Sequence, residues 1–79
     1  MKTVKIRIDN IDKVKEFSAK ANKYIDNLDL ASGRYIIDAK SIMGIFSLDI
    51  SKPVELHIYG DDEKAIANFI ESIDKYIEK

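Results

Sequence analysis

The sequence contains no cysteine, which excludes a disulfide framework, a thiolate nucleophile and any cysteine-based zinc or iron–sulfur centre. It has one histidine, His57, so no histidine cluster can hold a metal, and neither a metal nor a cofactor is expected. Charge of one sign is not in excess: 13 Lys and Arg stand against 14 Asp and Glu. The charges are interspersed, so no face is built to hold a polyanion or an anionic bilayer. Nucleic acid and membrane are not expected partners. A continuous apolar run is missing as well. Met1 to Ile8 alternate apolar and charged residues, whereas a signal peptide or a membrane span needs an unbroken apolar stretch, and a cytoplasmic location is expected.

What is present is the balance of a folded domain. Apolar residues make up 46% and charged residues 34% of the 79, too apolar for a disordered chain. A chain of this length buries about 60% of its unfolded surface and has no material for a second core, so residues 1–79 are expected to form one domain.

Periodicity assigns the elements. Val4, Ile6 and Ile8 point one way and Lys5 and Arg7 the other, the period-2 pattern of a strand with one buried face. Ile11, Val14, Phe17, Ser18, Ala21, Tyr24 and Ile25 recur at spacings of three and four, which predicts an amphipathic helix. Asp9 and Asn10 are its N-cap candidates, and Asp26-Asn27 is placed at its end. Residues 28 to 39 read as a hairpin turning at Ser32-Gly33. Ser41 is a suitable N-cap for a short helix through Leu48, and Lys52-Pro53 breaks the chain. Val54, Leu56 and Ile58 mark a last strand closed by Gly60-Asp61-Asp62. The final helix starts at Asp62 or Glu63 with the stripe Ile66, Phe69, Ile70, Ile73, Tyr76 and Ile77, and with Lys75 and Lys79 near its end.

The order is βαββαβα, an α+β fold. Each strand carries one apolar face and each long helix one apolar stripe, so helices on one face of one sheet satisfy them all. A right-handed crossover between parallel strands one and two leaves a gap for strand four, which predicts a four-stranded antiparallel sheet of order 1-4-2-3.

The segment Lys40-Ser41-Ile42-Met43-Gly44-Ile45-Phe46-Ser47-Leu48 closely resembles the Lys-Ser-Ile-Met-Gly segment of HPr, the small phosphocarrier of the bacterial sugar phosphotransferase system. The resemblance runs without gaps from about Ala21 to Glu55 and more loosely to both ends, and it implies an HPr-like open-faced β-sandwich. Family members receive a phosphoryl group from enzyme I on a His at the start of the first helix and pass it to enzyme II proteins. By the same alignment Asn10 falls at the family His position, Asp12 at the Arg and Lys13 at the Pro. The amide nitrogen of Asn has given its lone pair to resonance, so Asn10 cannot be the acceptor. Asp12 places a carboxylate where an Arg would assist phosphate. At an effective dielectric near 20, like unit charges roughly 4 Å apart repel by about 4 kcal/mol. As plain structure, Asn10 caps the helix and Asp12 complements its dipole. His57, on the polar face of the last strand, reads as an exposed surface residue without a role.

The resemblance makes Ser41 the second functional position, because HPr proteins of Gram-positive bacteria are phosphorylated there by a dedicated kinase. The product controls carbon catabolite repression through a transcription factor. Ile42, Met43 and Phe46 are spaced to share a face of the short helix, and the corresponding family residues dock onto enzyme I, the kinase and the regulator. Capping alone would equally explain the serine. Ile45 and Leu48 are assigned to the core, and Gly44 to close packing. The chain is similar to the catabolite-repression homologue of HPr, which lacks the His and keeps the Ser, but that homologue retains the Arg-Pro that is Asp12-Lys13 here. These residues lead to a non-enzymatic, HPr-like regulatory module that has lost His phosphotransfer and is switched at Ser41. A serine kinase, enzyme I or a transcription regulator is the expected protein partner, and phosphocarrier activity is not expected. The alternatives are a working phosphocarrier with a displaced acceptor, for which His57 is the one imidazole, or a structural or ligand-binding module reusing the fold.

Overall fold

The structure, a computed structural model, describes residues 1–78; Lys79, expected near the end of the last helix, lies outside them. The elements are β1 (Lys2–Ile6), α1 (Ile11–Ala21), β2 (Leu28–Ser32), β3 (Tyr35–Asp38), α2 (Ile42–Phe46), β4 (Val54–Ile58) and α3 (Glu63–Ser72), followed by a 3-10 turn, Asp74–Tyr76. The sheet order is β1-β4-β2-β3 with every neighbouring pair antiparallel. This is the predicted α+β topology. β4 enters between the parallel strands β1 and β2, with Val4 opposite Leu56 on one side and Leu30 opposite Leu56 on the other.

The apolar faces meet as their periods require. Ile6, Val54, Leu56, Ile58, Leu28 and Leu30 are buried, as are Val14, Phe17 and Ala21 of α1 and Phe69 of α3. Phe17 packs edge-on against Tyr76, with ring centroids 6.4 Å apart and planes at 84°, a favourable arrangement of ring quadrupoles. Caps close both long helices. The Lys13 N–H donates to Asn10 Oδ1 at 2.8 Å, and the Lys64 and Ala65 N–H groups donate to Asp62 Oδ1 at 3.0 and 3.1 Å. These bonds satisfy amides that the helix itself leaves without partners.

Several expectations need correction. α1 stops at Ala21 with Asn22 as its cap, short of Asp26-Asn27. The Asn22 side chain donates to Ser18 O at 2.8 Å and to Lys40 O at 3.2 Å, so a long-range contact ends the helix. Ile11 and Ile25, counted in the apolar stripe, are 58% and 71% exposed. They lie at the two ends of the pattern, beyond the span that faces the sheet. The final stripe is also not one helix. α3 ends at Ser72, and the chain turns so that Ile77 pairs with Ile6 while the Arg7 N–H donates to Tyr76 O and the Glu78 N–H to Lys5 O. The carboxy-terminal segment thereby covers the edge of β1, a strand edge that would otherwise present unpaired amides.

Two glycines have positive φ. Gly33 (+59°) forms the hairpin turn, and Gly60 (+123°) lies where an added Cβ would be 2.5 Å from Asp26 Oδ2 and 2.9 Å from the Tyr24 hydroxyl. At Gly44 an added Cβ would meet its neighbours no closer than 3.4 Å, an ordinary contact. The close packing expected there is not what the structure shows.

Candidate functional site

Two helix starts carry the residues singled out above. At the start of α1, Asn10 has extended backbone (φ −148°, ψ 167°) and its side chain is engaged in capping. Asp12 is exposed in the first turn. Lys13, the nearest cation along the chain, is drawn back by its 3.0 Å contact with Asp9 Oδ1. Its hydrogen bond is the leading reason the Asp9 carboxyl is held below the ordinary carboxylate range. The amide oxygen at residue 10 is thus spent on a backbone N–H.

At the start of α2, Ser41 is exposed, and its Oγ accepts from the Gly44 N–H at 3.2 Å. The segment before it is held by one local contact and two that are distant in sequence. Lys40 Nζ donates to Tyr24 O at 2.7 Å, the Lys40 N–H donates to Asp38 Oδ1 at 2.9 Å, and Asn22 reaches Lys40 O. Lys40 is therefore an anchor for the Ser41 segment. No sequence pattern pointed to this, since the carbonyl it reaches is 16 residues away.

The three residues expected to dock a partner divide. Met43 and Phe46 are 77% and 42% exposed, whereas Ile42 is partly buried against the core, and Ile45 and Leu48 are buried. A five-residue helix must bury one side to be held at all, and Ile42 and Ile45 supply that side. Met43 and Phe46, three apart, remain together on the outer face.

His57 is not the exposed residue the sequence suggests. It lies on the sheet face away from the core, opposite Thr3 of β1 and Asp29 of β2. Its side chain is only 16% accessible, with Nε2 3.1 Å from Glu55 Oε1. Occupying a central strand, with neighbours on both sides, accounts for the burial. Among the described residues no group of three or more His, Cys, Asp or Glu side chains could hold a metal ion, and no helix is long and apolar enough to cross a membrane.

The βαββαβα order, the 1-4-2-3 sheet and the capped α2 segment together define an HPr-like open-faced β-sandwich. The family model described as "PTS HPr component phosphorylation site" matches residues 3–79. The chain belongs to the HPr family of phosphocarrier and regulatory modules. It is similar to HPr-C-His from Thermoanaerobacter tengcongensis, with 34% identity, 95% of this chain and 93% of that chain covered, and a TM-score of 0.75. It is also similar to the phosphocarrier protein HPr from Bacillus anthracis str. Ames, with 26% identity, 91% and 93% covered, and a TM-score of 0.70. The histidine-containing phosphocarrier protein of a Mycoplasma shares the fold, with 19% identity, 99% and 98% covered, and a TM-score of 0.73. No curated protein sequence matches the chain. These findings overturn the expectation, drawn from Asn10 and Asp12, that phosphocarrier activity is absent. The chain is related over nearly its whole length to phosphocarrier proteins, so the substitutions at residues 10, 12 and 13 do not remove it from that class.

Proposed function

We propose that this chain is a phosphoryl-accepting module of the phosphotransferase-system family that takes its phosphoryl group away from the start of α1. The acceptor is Ser41, and the partner docks through Met43 and Phe46, with Ile42 at the margin of the patch. The observation that carries this reading is the exposed Ser41 hydroxyl beside an exposed apolar pair on α2. A kinase can reach the hydroxyl, and the neighbouring apolar surface gives it something to hold. Phosphate there would add roughly two negative charges next to that surface and change which partner it accepts. A serine kinase, enzyme I or a transcription regulator is the class of partner this implies.

A second reading, a displaced phosphocarrier at His57, is favoured by one contact. Glu55 engages Nε2 at 3.1 Å, which orients the ring and leaves Nδ1 to attack phosphorus. Asp29 directly opposite and Glu55 itself oppose an incoming phosphoryl group, so Ser41 is preferred. One experiment tests both. The protein is incubated with phosphoenolpyruvate and enzyme I, and separately with ATP and an HPr serine kinase, and the adduct is located by mass spectrometry. An acid-stable phosphate on Ser41 supports the proposal, and an acid-labile one on His57 establishes the second reading in its place. No adduct in either reaction refutes both.

A further inference from the structure

Between the end of α1 and the flank of α3 the surface opens into a groove of about 360 Å³. It arises where two elements distant in sequence meet: α3 presents Ala65, Asn68 and Ser72 on the side that also carries Phe69, and the small side chains at 65 and 72 leave the space between the helices unfilled. Tyr24 and Phe69 line it as a ring pair with centroids 5.1 Å apart. Ile25, 71% exposed, extends the apolar surface.

The polar groups along the groove are largely committed elsewhere. The Tyr24 hydroxyl donates to Tyr59 O at 2.5 Å, and Ser72 Oγ donates to Phe69 O at 2.6 Å. The charged side chains that line it are both cations, Lys20 and Lys23. Glu16 lies within electrostatic reach of Lys20, but its carboxylate is bonded to Lys75 and Tyr76. Among the described residues no hydrogen bond or ion pair engages the Lys23 ammonium.

We infer that this groove binds a small anionic amphiphile, a carboxylate with an apolar body of about eight carbons, a size that suits clefts at the small end of ligand sites. The body lies on Tyr24, Phe69, Ala65 and Ile25, and the carboxylate meets Lys23 and Lys20. Tyr24 and Phe69 are each 6% exposed and form only the floor, so most of the apolar area comes from Ile25 and Ala65, and the two ammonium groups decide the sign of charge accepted. A membrane surface is the poorer fit. Two lysines fall short of the cluster of four to eight basic residues that reads as recognition of anionic lipid, and the chain as a whole carries a net charge of −1.

The test is a titration of the isotopically labelled protein, followed by amide chemical shifts, with sodium octanoate, with octylammonium chloride, and with phosphatidylglycerol vesicles. Octanoate should give saturable shifts at Tyr24, Ile25, Ala65 and Phe69 with a Kd of about a millimolar, the range open to a ligand of so few atoms. Octylammonium should give none that saturate. Ala65→Leu, which fills the groove, should weaken octanoate binding about tenfold, and Lys23→Gln about threefold to tenfold. Lys23 is exposed, so its variant keeps the test decisive even if Ala65→Leu disturbs α3. Failure of octanoate to saturate, equal binding of octylammonium, or indifference to Lys23→Gln overturns the inference. Binding to vesicles in the absence of octanoate binding would assign the lysines to a membrane surface and overturn it as well.

Discussion

Removing the Ser41 hydroxyl separates its structural part from its proposed role as a phosphoryl acceptor. In the folded protein Oγ accepts from the Gly44 N–H at 3.2 Å, and the Ser41 carbonyl accepts from the Ile45 N–H at 3.0 Å. Ser41→Ala abolishes the first bond and leaves the second. N-cap truncation costs about 0.5–2 kcal/mol, and this cap is exposed and its bond long, so water can replace part of it and about 0.5–1 kcal/mol is expected. With a urea slope of about 1 kcal/mol per molar for a small domain, the unfolding midpoint should fall by about 0.5–1 M. Ser41→Asp keeps an acceptor at the same position and should stay within roughly 0.5 kcal/mol of the parent. Both variants should lose modification by a serine kinase. Urea unfolding followed by circular dichroism measures the first pair of expectations, and phosphate incorporation the other. An Ala variant within roughly 0.2 M of the parent, or an Asp variant as unstable as the Ala variant, would show that the hydroxyl contributes no cap, and the structural account of Ser41 would fall.

Three further outcomes can be checked. Phe17→Ala empties a fully buried site and breaks the edge contact with Tyr76, so a loss of about 3–5 kcal/mol is expected; a loss below about 1 kcal/mol would mean that α1 does not pack as described. The Glu16 carboxyl is held below its ordinary range, first by the Lys75 hydrogen bond and then by the Tyr76 hydroxyl. Its contribution to stability is therefore complete above the unfolded-state value and is lost as pH falls through the lowered folded value. Glu16→Gln should flatten that part of the acid limb, and an unchanged pH profile would refute the coupling. At the start of α1, Asn10→His with Asp12→Arg should gain more acid-labile phosphate from enzyme I than Asn10→His alone; equal labelling would show that the charge at residue 12 is immaterial there.

Much of this architecture was legible in residue order because its causes are local. Alternation in Val54, Leu56 and Ile58 marks a strand whatever surrounds it, and Asn10, Ser41 and Asp62 cap their helices through amides two or three residues on. The sheet order also followed, since few topologies cover every apolar face. The Lys40–Leu48 segment was enough to indicate the family.

Other features depend on residues far apart in the chain. Ile11 and Ile25 carry the right period and stand in solvent, because a helix face is buried only where a partner reaches it. α1 ends where Asn22 finds Lys40 O, and His57 is half-buried because strands flank it on both sides. The Lys75–Glu16–Tyr76 contact joins residues about 60 apart. The groove exists because Ala65 and Ser72 come opposite Tyr24. Periodicity and capping act within a few residues and can be read along the chain, whereas burial, long-range pairing and the shape of a surface arise only when separate elements pack together.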